Sequence, residues 1–114
     1  MAAIAQETRD TFTGVAAGEL ETLEAAVGLR ERYRSEIGLD PRTFALVKIA
    51  VLIALDAPPA SYAWQVTNAL AEGASPEDIL AVMRAVAPQV GGPRVIAAAP
   101  EIMFGLGLNV RGEE

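Results

Sequence analysis

The stretch Phe44–Leu55 is apolar at every position except Lys48. Its left edge is Asp40-Pro41 and its right edge is Asp56-Ala57-Pro58-Pro59. A carboxylate at residue 40 can accept from the free backbone N–H groups of a first helical turn. A proline at residue 41 suits that turn, where its missing donor costs nothing. The two prolines after Asp56 stop the helix. The result is one helix that is apolar nearly all round, and such a helix is buried on most of its sides. A bilayer span needs about 20 apolar residues in a row; this run is shorter and holds a lysine. Burial against other helices, and between subunits, is therefore the expected use of the excess apolar surface.

The composition carries the same implication. Of 114 residues, 52% are hydrophobic, with a mean hydropathy of +0.30, and a single domain of this size buries a smaller share of its surface than a large one. The opening MAAIAQETRD has no basic flank before an apolar run, so no secretory signal is expected and a cytoplasmic location is. With neither cysteine nor histidine, disulfides, thiol redox chemistry and thiolate metal sites are excluded. The side chain that titrates nearest neutral pH is missing too. A net charge of −6 argues against nucleic acid as a partner, because that affinity comes largely from Lys and Arg. Arg30, Arg32 and Arg34 alternate with Glu31 and Glu36 and read as a solvated helix face.

The rest of the chain reads as helix throughout. Ile4–Ala17 is a weak helical segment. Residues from about Glu19 to Glu36 form another, with Leu20, Leu23, Val27 and Tyr33 near helical spacing and Gly28 interrupting. A third strong helix is predicted from Ala60 to Glu72, closed by Gly73. Ser75-Pro76-Glu77-Asp78 has the form of a capping box and opens the next helix. Pro88 should kink or end that helix. Gly91-Gly92-Pro93 makes a turn into a last helix toward Phe104, which Pro100 should bend, and the tail after Leu108 is expected to be loose. The expectation is one all-α domain over residues 1–114.

Three segments, taken in order, point to a family. Leu39-Asp40-Pro41-Arg42-Thr43 leads into Leu46-Val47-Lys48-Ile49-Ala50-Val51. Ala69-Leu70-Ala71-Glu72-Gly73-Ala74-Ser75-Pro76-Glu77-Asp78-Ile79 follows, and then Gly91-Gly92-Pro93. Over about residues 39–97 the chain resembles the carboxymuconolactone decarboxylase family. That resemblance implies an alkyl-hydroperoxidase D-like helical bundle with a helical-hairpin core, assembled as a homotrimer or homohexamer. Redox members of this superfamily carry Cys-x-x-Cys-x-x-x-His. In this chain the resemblance puts Pro58 and Ser61 at the cysteine positions and Gln65 at the histidine position. The decarboxylase branch has an acid where Ser61 stands. By this resemblance the chain looks like a divergent member lacking the reactive motif.

What remains is hydrogen-bonding chemistry. Neither Ser61 nor Gln65 exchanges a proton unaided near neutral pH, and Ser61 as a nucleophile would need a base such as Lys48 or a carboxylate. Ser61, Gln65 and Lys48 are the candidate catalytic residues. Tyr62, Trp64 and Gln89 are candidates to contact a ligand. Each has a plainer reading: Lys48 reaching solvent or an acid, the aromatics as core or interface, and Gln89 as a turn residue. Ser61, Gln65, Asn68 and Glu72 share one helical stripe. On pattern alone that stripe is a solvated face; by the resemblance it is the mouth of a pocket. No cofactor, metal, nucleic acid or membrane is expected. The two functional expectations are a small organic ligand with a non-redox lyase or isomerase step (decarboxylation, isomerisation or cyclisation), or an inert oligomeric scaffold.

Overall fold

A computed structural model describes residues 3–28 and 37–114. It holds six helices: α1 (Gln6–Ala16), α2 (Leu20–Val27), α3 (Pro41–Leu55), α4 (Pro59–Ala71), α5 (Pro76–Val90) and α6 (Gly92–Gly105). Among the described residues there is no strand, in keeping with an all-α fold. The chain divides into two compact units, Met1–Arg32 and Tyr33–Glu114.

The first unit is the α1–α2 hairpin. Its turn is closed by backbone bonds from Ala17 to Thr13 and from Glu19 to Gly14, and Leu23 is its buried apolar side chain. The sequence predicts one helix from about 19 to 36. The helix instead stops at Val27, because Gly28 takes a left-handed conformation (φ +70°) and donates its N–H back to Leu23. Glycine adopts that geometry without the steric cost other residues meet. Tyr33 and the Arg30–Arg32–Arg34 cluster lie outside the described residues.

The second unit is built from two helical hairpins, α3–α4 and α5–α6. Packing runs α3 on α4 and α5, α4 on α6, and α5 on α6. The caps read from the sequence are present. The Asp40 carboxylate accepts from the Thr43 N–H and hydroxyl, both at 2.8 Å. Ser75 Oγ accepts from the Asp78 N–H at 3.1 Å, and Asp78 Oδ2 accepts from the Ser75 N–H at 2.8 Å. One oxygen of Asp78 then joins two helix starts, since Arg42 Nη2 also sits 2.7 Å from Oδ2. At the other end of α3, Arg94 Nη1 donates to the Ala54 carbonyl at 2.5 Å.

On α3 the fully buried positions are Ala45, Ile49 and Ile53, four residues apart. They join Tyr62, Val66, Ala69, Ala74, Ile79, Ala98 and Ile102 in one core. Within the single chain, then, α3 is not buried on most sides. Val47, Val51 and Leu55 stand on its other face, 45%, 48% and 70% exposed. The predicted breaks at Asp56–Pro59 and Gly73 hold to within a residue: Pro58 is the N-cap of α4 and Glu72, not Gly73, its C-cap.

Neither proline ends its helix. Pro88 and Pro100 sit inside α5 and α6, which continue to Val90 and Gly105. A proline removes one backbone donor and crowds the carbonyl four residues earlier. Arg84 and Ile96, which carry those carbonyls, are both exposed, so water can take the lost bond. The tail is not loose either. Asn109 Oδ1 accepts from the N–H groups of Arg111 (2.9 Å) and Glu113 (3.1 Å), folding it into a turn.

Candidate functional site

Helix α4 carries most of the candidates. Pro59 starts it at the first helical position, and the helix leans on α3 at one side and α6 at the other. A step of about 100° per residue puts Ser61, Gln65, Asn68 and Glu72 along one stripe. Exposure changes along it: Ser61 and Asn68 are half-buried, Glu72 is exposed, and Gln65 is 4% exposed. Gln65 is the most deeply buried polar side chain among the described residues, and its Oε1 is closed off from solvent. The stripe is therefore solvated at Glu72 and closed at Gln65. It dips into the interior at the position of interest.

Tyr62 lies on the adjoining face and is 2% exposed. Its hydroxyl donates to the Leu52 carbonyl at 3.0 Å, tying α4 to the last turn of α3. Burial raises the phenol's pKa above the usual tyrosine value, and the charges of Asp56 and Glu101 push it further in the same direction. Tyr62 thus holds a bonded place in the core. Trp64 is half-buried. Lys48 is half-buried on α3, with Nζ 4.7 Å from the centre of the Phe44 ring. A cation over a ring face is attracted by the ring quadrupole, an arrangement that suits an ammonium. Gln89 is exposed on the last turn of α5.

The sequence reading missed an apolar cavity of about 350 Å³ between α5 and α6, lined by Leu80, Met83 and Met103 among others. None of its lining residues belongs to the α4 stripe. The spacing Leu80–Met83 and Ala99–Met103 was visible, but it is also the spacing of ordinary core residues. Among the described residues, no group of three or more Asp or Glu side chains is placed to hold a metal ion. No helix there is long and apolar enough to cross a membrane.

Comparison with known proteins gives one match. The model of the carboxymuconolactone decarboxylase family matches residues 20–102, a wider span than the motifs at 39–97. No curated protein and no solved structure matches the chain.

Proposed function

Because this chain belongs to the carboxymuconolactone decarboxylase family, we propose that it binds a small organic molecule beside the Ser61–Gln65 stripe of α4. The buried Gln65 amide carries this reading. Taking an amide out of water costs free energy unless hydrogen bonds replace those lost, and a leucine at the same place would avoid that cost. A buried glutamine where the family resemblance puts the reactive histidine is suited to reading a carbonyl or carboxylate. An amide offers such a group both kinds of hydrogen bond, a donor in its NH2 and an acceptor in its oxygen. Ser61, one turn earlier on the stripe, adds a second hydroxyl contact. These groups bind and orient without moving a proton themselves. The chemistry open to them is non-redox: a decarboxylation, isomerisation or cyclisation in which the ligand's own groups carry the proton.

The exposed Val47, Val51 and Leu55 face favours a second reading beside the first. In it the protein is a cytoplasmic homotrimer or homohexamer whose role is assembly, with no turnover.

Thermal shift separates the two. Small carboxylic acids, lactones and aromatic ketones would be screened against the wild type, Gln65→Leu and Gln65→His. The ligand reading expects at least one compound to raise the melting temperature of the wild type. It expects Gln65→Leu to weaken that effect by about one hydrogen bond, on the order of 1 kcal/mol. If no compound shifts the wild type and neither variant responds differently, the scaffold reading takes its place.

A further inference from the structure

The cavity between α5 and α6 has a chemistry of its own. Ile79 and Ile102 are fully buried and close its inner end, while Leu80, Met83 and Met103 make its sides. Its volume of about 350 Å³ falls in the range of small-molecule sites. It is a groove open on one side, where Leu80 is 44% exposed, and its volume leaves room for a flat bicyclic guest. Methionine is flexible and polarisable and adapts to flat aromatic surfaces.

One ionisable side chain lines this cavity, the exposed Glu77 in the first turn of α5. Two of the first three N–H positions of that helix are closed to a guest anion. Pro76 has no N–H, and the Asp78 N–H is taken by Ser75. The neighbouring Asp78 carboxylate is turned to Arg42 and to the Ser75 N–H. The one charged side chain in the lining is therefore negative.

We infer that this cavity binds a flat apolar molecule bearing a protonated amine, with its rings between Met83 and Met103 and its ammonium at Glu77. The site is separate from the α4 stripe and does not depend on what that stripe binds.

The chain has three methionines, Met1, Met83 and Met103, which makes a direct test possible. The full-length protein, labelled with 13C at the methionine methyl groups, is titrated with 2-naphthylmethylamine and, separately, with 2-naphthoate. The Met83 and Met103 signals, assigned through Met83→Leu and Met103→Leu, are expected to move saturably under the ring current of the amine, while Met1 stays still. A dissociation constant of about 1 mM or tighter suits a ligand of this size. The naphthoate should bind at least severalfold more weakly. Glu77→Gln, a change at an exposed position, should weaken the amine about two- to fivefold, as expected for an exposed ion pair, and bring the two compounds together. Ala99→Leu should fill the cavity and abolish both shifts at unchanged helical circular dichroism. Gln65→Leu should leave the titration unaltered, so failure here and failure at the α4 stripe are distinguishable. Motionless Met83 and Met103 signals would overturn the inference. So would equal binding of acid and amine by the wild type, or signals that respond to protein concentration instead of to the amine.

Discussion

Gly105 faces Val66 so closely that a Cβ at residue 105 would lie 2.8 Å from the Val66 Cβ. This is a close approach of α4 and α6, and Val66 is completely buried there. Gly105→Ala should therefore destabilise the protein despite favouring helix intrinsically. Overpacking of a close core contact costs about 1–3 kcal/mol. Val66→Ala should also destabilise, through lost packing. The double variant should lose less than the sum of the two, because the smaller residue at 66 makes the room that 105 needs. Chemical denaturation of the four proteins checks this. Additive losses would mean that the two residues do not press on each other.

Tyr62 supplies a second test. Tyr62→Phe removes the bond to the Leu52 carbonyl and should cost about 1 kcal/mol. The variant should also alter the alkaline limb of the stability curve. The phenol's pKa is higher in the folded protein than its ordinary value near 10, so the folded state holds this proton more tightly than the unfolded one. The stability that follows is fully present below about pH 10 and is lost as pH rises through the folded value. Urea denaturation at pH 8 and pH 11 should show this loss in the wild type and a smaller one in Tyr62→Phe.

At low pH the relevant groups are Asp40 and Asp78. The Thr43 N–H and hydroxyl hold the Asp40 carboxyl below the usual aspartate range, and the Ser75 N–H followed by Arg42 does the same for Asp78. Both folded pKa values lie under the unfolded value of about 4. The stability they contribute is present above that value and disappears as pH falls through the folded ones. Melting temperature should therefore drop between pH 5 and pH 2. Asp78→Asn should start lower at pH 7 and fall less steeply. Its acid limb should be matched by Arg42→Gln only in part, since that variant keeps the capping bonds.

The exposed face of α3 predicts self-association. A chain of 11.9 kDa is expected to sediment at three or six times that mass at micromolar concentration. Val51→Glu, which puts a charge in the middle of the Val47–Leu55 face, should shift the protein toward the monomer with its helix content retained. A wild type that sediments as a monomer would remove the assembly reading.

Helix ends were legible in the sequence because their causes lie within three or four residues. Asp40-Pro41 and Ser75-Pro76-Glu77-Asp78 specify caps through local bonds that no distant contact has to supply. The same holds for the break at Asp56–Pro59. The depth of Gln65 was not legible. Periodicity says that residues 61, 65, 68 and 72 share a face, but which neighbour that face meets is decided by how α3 and α6 close around α4. The persistence of α5 through Pro88 was hidden for a similar reason. It depends on Arg84 facing water, and one helix in isolation does not determine that. The α5–α6 cavity is wholly non-local, for its methionines are 20 positions apart in the chain.

Gly91 is the entire connection between α5 and α6: Val90 ends one helix and Gly92 begins the next. Its backbone, at φ +88° and ψ 158°, occupies a region nearly reserved for glycine, where another residue would carry strain of about 1–3 kcal/mol. A one-residue joint has no slack. Its two torsions fix how the second helix leaves the first, and with that the spacing of Met83 from Met103. Lengthening the joint by one residue should therefore change the shape of the space between these helices without altering any side chain that lines it. For anyone redesigning the protein, the width of that space is set by a hinge pin more than about two helical turns away, and residue 91 is the place to adjust it.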